Sequence, residues 1–191
     1  MSKKTDNSKL WEKVALRKQN LPKKARVLDL YCGTGQMYKY AYKDSYRYHG
    51  VDNKTIHDPK ICTKTNNIIY ITRYPLDAFN VFDLDAYGCP WKQFFLILSR
   101  LKPKDDVRFF LTDGLVLAKS LNQKPTNMLS ALEQIPKGMK IYGMNRFYVD
   151  MFATMLLRAS RKYNLKINKA QYFHNDARTV YYWYINLSIL H

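Results

Sequence analysis

The segment spanning residues 26–37, R-V-L-D-L-Y-C-G-T-G-Q-M, constrains the fold more than any other part of this chain. Residues 26–30 form a short, mostly apolar run after the break at Pro22-Lys23-Lys24, the pattern of a parallel strand buried on both faces. Asp29 falls near its carboxyl end. Gly33 and Gly35 then allow a sharp turn and a close approach of backbone to a ligand, since neither carries a side chain that would collide with one. The following residues, 36–43, leave as a helix. In open α/β sheets small ligands sit beyond the carboxyl ends of the strands, where the N–H groups of a helix's first turn also point. The expected occupant is a nucleotide-like cofactor.

Asp52 adds to this expectation. It ends a second predicted strand, residues 48–53, where an acidic side chain can receive both hydroxyls of a ribose. The dinucleotide fingerprint would require a third glycine, but Gly35 is followed by Gln36, Met37 and Tyr38, which argues against NAD. D-L-Y-C-G-T-G followed by V-D-N resembles the first two motifs of the class I S-adenosylmethionine-dependent methyltransferases. The resemblance implies S-adenosyl-L-methionine as cofactor. Asp29 and the backbone of Tyr31, Cys32, Gly33 and Gly35 would lie around its methionine part, Asp52 and Asn53 at its ribose, and Asp83 at the neighbouring strand end.

The chain of 191 residues is the size of one α/β domain, and its 47% hydrophobic content is ample for a core. The formal net charge of +17 favours a polyanionic partner, because neutralising phosphates releases counterions. Nucleic acid is therefore expected, although charge alone leaves anionic lipid or a merely solvated surface open. No apolar run approaches the ~18 residues of a membrane span, and no apolar stretch follows the first lysines. The expectation is a soluble, unexported, cytoplasmic protein. Cys32, Cys62 and Cys89 lack C-x-x-C spacing and the four histidines are scattered, so neither a disulfide framework nor a metal site is expected.

Strand and helix patterns then alternate. Residues 1–25 read as a basic, helical segment and 26–191 as the methyltransferase domain. Within the first, residues 8–19 suggest a helix burying Leu10, Val14 and Trp11. Its Lys9, Lys13, Arg17 and Lys18 would either lie on a lid over the sheet or touch a phosphate backbone. Residues 68–72 are β-branched and apolar, which predicts a third strand, and 79–84 a fourth. Residues 90–101 predict a helix with Pro90 in its first turn, 107–112 a buried strand, and 145–163 a long amphipathic helix. Between them, 115–141 is cut by Pro125, Pro136 and Gly138 and reads as a substrate-facing insertion. Residues 165–173 and 179–189 predict a terminal antiparallel pair, in which the rings of 181–184 pack on both faces. Class I methyltransferases carry such a hairpin at the end of a seven-stranded, mostly parallel sheet with helices on both faces. The expected fold is thus a single Rossmann-like α/β domain of that kind.

Residues 83–91, D-L-D-A-Y-G-C-P-W, carry the second chemical signal. Alternation places Val81, Asp83 and Asp85 on one face of the fourth strand and Phe82 and Leu84 on the other, an arrangement that ordinary buried strands avoid. Methyl transfer to an exocyclic amine needs the nitrogen lone pair aimed at the methyl group, and a carboxylate with a backbone carbonyl can hold the two amine hydrogens. Asp85 and the carbonyl of Ala86 suit this, with Tyr87 placed to stack on a base. The segment is similar to the fourth motif of the tRNA guanine-N2 dimethyltransferases, D-L-D-P-Y-G-S-P, and F-F-L-T-D-G resembles their next strand. Ala86 and Cys89 depart from that pattern, and no counterpart of that family's large C-terminal RNA-binding domain is expected within these 191 residues. The resemblance implies an amino-methyltransferase acting on RNA in preference to DNA. Asp85 and Tyr87 are the expected catalytic residues. A DNA amino-methyltransferase, a small-molecule enzyme and a non-catalytic nucleic-acid-binding module remain alternatives. Covalent attack by Cys89, as in C5-pyrimidine methyltransferases, lacks their P-C pattern.

Overall fold

The computed structural model describes residues 9–86, 88–101, 106–114 and 144–190. Seven strands make one sheet: β1 (Arg26–Asp29), β2 (Arg47–Asp52), β3 (Cys62–Lys64), β4 (Val81–Leu84), β5 (Val107–Asp113), β6 (Leu165–His174) and β7 (Tyr181–Ile189). Their order is β3-β2-β1-β4-β5-β7-β6. Pairings are parallel from β3 through β5, and β7 runs antiparallel to both β5 and β6. This is the mostly parallel seven-stranded sheet with a terminal hairpin expected from the sequence.

Period-two alternation sends the strand residues into two separate cores. On one face Leu28, Leu30, Phe82, Leu84, Phe109, Leu111, Trp183 and Ile185 pack against α2 (Asn67–Arg73), α3 (Trp91–Arg100) and α4 (Met144–Lys162). Trp183 stacks flat on Phe152 of α4, with ring centroids 3.5 Å apart. On the other face Val27, Val81, Phe110 and Tyr184 meet α1 (Leu10–Asn20) and a π-helical turn, Tyr38–Tyr42. The rings of 181–184 are all buried and divide between these faces, as the alternation requires.

Two expectations fail. Residues 68–72 are helical rather than a strand. The side chain of Asn66 accepts from Ile68 N (2.9 Å) and Ile69 N (3.4 Å), and this cap outweighs the β-branched preference of the run. The third strand is instead the three-residue β3, too short for periodicity to reveal. In α1 the buried positions are Lys13, Val14, Leu16, Arg17 and Asn20, while Trp11 stays 64% exposed. The helix is thus rotated so that two cations, not the indole, face the sheet. The expected insertion at 115–141 lies outside the described residues.

Candidate functional site

The carboxyl ends of β1, β2 and β4 gather the acidic residues singled out in the sequence. Asp29 and Asp83 are register partners on adjacent parallel strands, and both are almost completely buried. Two carboxylates this close cannot both be charged without a counterion. Arg17 supplies one: its Nε donates to Asp83 Oδ2 (2.6 Å) and its Nη2 to Oδ1 (2.8 Å), while Tyr42 donates its hydroxyl to Oδ2 (2.5 Å). Among the described residues Asp29 has no cation of its own. It accepts from Tyr31 N (3.2 Å) and the Tyr48 hydroxyl (3.0 Å), and burial, then the Asp83 charge, pushes its acidity constant well above the ordinary carboxylate value. Asp29 thus shapes the turn leaving β1 and is biased toward its protonated form, while Asp83 is the member of the pair joined to Arg17.

Asp85 lies just past β4 on the same face. Lys13 Nζ is 2.5 Å from its Oδ2, and the Thr112 hydroxyl of β5 donates to Oδ1. Burial works against its charge, but Lys13 and then Arg17 outweigh that and hold Asp85 below its ordinary value, so it is ionised at neutral pH. The match with α1 is geometric: residues four apart on a helix are about 6 Å apart along its axis, and residues two apart on a strand are about 6.6 Å apart. Lys13 and Arg17 therefore reach Asp85 and Asp83 together. The expectation that these two cations touch a phosphate backbone is not met, because they are turned inward and paired.

The glycine turn follows the reading of the sequence closely. Gly33 and Gly35 have φ of +47° and +79°, conformations that other residues adopt at a cost. The turn is tied to its neighbours by Leu30 N donating to Asp83 O (2.9 Å) and Cys32 N to Val51 O (3.2 Å). Asp52, half-buried at the end of β2, reaches across to accept from Gly33 N (3.3 Å) and also from Lys54 N (2.7 Å) and Thr55 N (3.2 Å). The structure therefore brings Asp29, Tyr31, Cys32, Gly33, Gly35 and Asp52 together, with Asn53 exposed beside them. Burial raises the Tyr31 phenol to about 12, so it is neutral. Asp83 lies beneath this cluster with both oxygens directed into α1 and the π-helical turn. Tyr87 lies outside the described residues.

After β4, Gly88 has φ of +109° and its carbonyl accepts from Gly114 N (2.7 Å), which joins the Asp85 segment to the end of β5. Asp113, on the opposite face, accepts from Trp91 Nε1 (2.6 Å) of α3 and from the Tyr148 hydroxyl of α4. Lys13, Arg17, Tyr42, Tyr48 and Thr112 were not singled out as site residues in the sequence. Only the i, i+4 cations of α1 against the i, i+2 carboxylates of β4 offered a signal.

No protein-family model matches this sequence, and no curated protein matches it. Solved structures do share the fold. Trm1 from Pyrococcus horikoshii, solved with S-adenosyl-L-methionine, superposes with a TM-score of 0.56 at 15% identity over 93% of this chain and 53% of its own. M. jannaschii TYW2, solved in complex with AdoMet, gives 0.55 at 11% identity over 98% of this chain and 77% of its own. A candidate hemolysin from Streptococcus thermophilus gives 0.57 at 11% identity over 96% of this chain and 65% of its own. This chain thus spans 65% and 53% of the length of the first two structures it matches. At these identities the likeness establishes the class I methyltransferase fold, and the chemistry must be argued from the residues.

Proposed function

We propose that this chain is an S-adenosylmethionine-dependent methyltransferase that modifies an exocyclic amine of a nucleic-acid base, with RNA preferred to DNA. The observation that carries the reading is the convergence of a tight glycine turn, Asp52 and an ionised Asp85 at the carboxyl ends of β1, β2 and β4. Two structural neighbours solved with the same cofactor support it. The residues present fit such a group: Gly33, at positive φ, has room where a side chain would stand, beside an acidic residue suited to ribose hydroxyls. When bound, S-adenosylmethionine supplies a methyl group on a sulfonium, already a strong electrophile.

The work left to the protein is then placement. Gly33 and Gly35 would hold the cofactor through backbone, with Tyr31 and Cys32 lining the turn and Asp52 and Asn53 at the ribose. Asp29 and Asp83 act from beneath, as one buried pair that fixes the turn, with Arg17 on Asp83 and the Tyr31 N–H and Tyr48 hydroxyl on Asp29. Lys13 and Thr112 each take one oxygen of Asp85, which leaves further lone pairs for an incoming amine. A carboxylate held below its ordinary value is a good acceptor and a poor base. Asp85 therefore orients the amine, whose proton leaves to solvent after transfer. Tyr87 would supply a stacking face for the base.

The net charge of +17 supports a polyanionic substrate over a small neutral one. The test is to incubate the protein with labelled cofactor and separate pools of tRNA, rRNA and DNA, then digest and identify the methylated nucleoside. An N-methylated base from an RNA pool is expected, and Asp85→Ala should abolish it while leaving cofactor affinity within about twofold, a change worth only ~0.4 kcal/mol. Label appearing on none of the three pools, or a fully active Asp85→Ala, would overturn the assignment.

A further inference from the structure

Three residues that show no metal-binding spacing in the sequence meet beside the glycine turn. Cys32 follows β1, Cys62 opens β3 opposite Gly50 of β2, and His57 comes from the connection between β2 and β3, which folds back over Gly35. Their donor atoms all lie within 4.8 Å of one another. We propose that Cys32, His57 and Cys62 form a zinc site, with water in the fourth position, that fastens the glycine turn to the β2–β3 connection.

The spacing is that of a zinc coordination shell. Zn–S bonds of about 2.3 Å and Zn–N bonds of about 2.0 Å at tetrahedral angles put donor atoms about 3.5 Å (S to N) and about 3.8 Å (S to S) apart. Cys62 Sγ lies 3.5 Å from His57 Nδ1 and 3.8 Å from Nε2, at or close to the sulfur-to-nitrogen spacing of such a shell. Two thiolates and an imidazole are a soft donor set that selects zinc over magnesium or calcium. Three protein ligands with water in the fourth position is a familiar zinc arrangement.

The surroundings fit the same reading. Both sulfurs are buried, and a Cβ on Gly50 would stand 2.7 Å from Cys62 Sγ and 2.9 Å from Cys32 Sγ, so a side chain there would displace the pair. A Cβ on Gly35 would stand 2.4 Å from His57 Cγ, too close to be accommodated without moving the ring. Two glycines thus hold open the space in which the three ligands meet. The absence of C-x-x-C spacing gave no hint of this, because the ligands come from three different segments.

The experiment uses the full chain, reduced and stripped of metal. Zinc is titrated against a chromophoric chelator, and cobalt(II) is added separately to look for thiolate-to-metal charge-transfer absorption. Stoichiometric zinc binding and that absorption are expected. Cys62→Ser and His57→Gln should each weaken zinc at least tenfold while remaining folded by circular dichroism, and Cys89→Ser should bind zinc as the parent does. No stoichiometric binding, or unchanged affinity in both ligand variants, would overturn the proposal. So would a Cys32–Cys62 disulfide in protein purified without added oxidant. None of these readouts depends on methyl transfer.

Discussion

Replacing Arg17 with methionine isolates the electrostatic arrangement on which the site rests. Arg17 is 1% exposed and Asp83 0%, and two hydrogen bonds of 2.6 and 2.8 Å join them. Methionine keeps much of the aliphatic stem but removes the guanidinium, which stands over Phe110, and leaves Asp83 without its counterion, buried and beside Asp29. Removing one partner of a buried ion pair costs about 3–5 kcal/mol, because the remaining charge has lost both its counterion and its water. Whole domains are stable by about 5–15 kcal/mol, so the variant should fold but with much of its margin gone. With a urea dependence of about 2 kcal/mol per molar, the unfolding midpoint should fall by roughly 1.5–2.5 M, read by far-ultraviolet circular dichroism. The double variant Arg17→Met/Asp83→Asn should regain more than half of that loss, since the stranded charge is gone and the Tyr42 hydroxyl keeps an acceptor. A midpoint unchanged in the single variant, or a double variant less stable than Arg17→Met, would refute the assignment of charge to Asp83.

Other consequences can be measured independently. Asp52→Ala should weaken S-adenosylmethionine at least tenfold by calorimetry, about 1.4 kcal/mol, and unchanged affinity would remove Asp52 from the ribose. Asp29 has a raised constant, so the stability it confers is complete below its unfolded value near 3.9 and is lost as pH rises through the folded value. Asp29→Asn, which mimics the protonated form, should therefore gain on the parent protein as pH is raised from 4 to 9, and a pH-independent difference in urea midpoint would contradict this. Cys89→Ser should methylate at close to the parent rate, whereas complete loss would revive a covalent thiolate route.

β1, β4 and β5 were legible because each announced itself by an apolar run ending in a turn, and the two-face division followed from alternation at Val81, Phe82, Asp83, Leu84 and Asp85. The glycine turn was legible because glycine adopts its positive φ values without the cost a side chain would add. What escaped was set by tertiary pairing. β3 has three residues and no period to detect, and the apolar run after Asn66 looks extended until its cap is seen. α1 carries cations on both of its faces, and nothing local tells which of them will be buried. That is decided by the carboxylates of β4. The Cys32, His57 and Cys62 cluster was hidden for the same reason, since proximity there comes from strand order and not from spacing along the chain.

The pairing of α1 with β4 also has a consequence for the order in which the chain can fold. Arg17 is separated from Asp83 by 66 positions. At a synthesis rate of about 5–20 residues per second, roughly 3–13 seconds pass before its partner has even been made. Throughout that time α1 is an isolated segment of 11 residues, too short to hold helical shape by itself. Closing so long a loop makes this a late event, and β1, β2 and β4 must first be aligned. The helix that begins the chain is thus among the last parts to settle, and its arrival neutralises the carboxylates that the assembled strands have brought together.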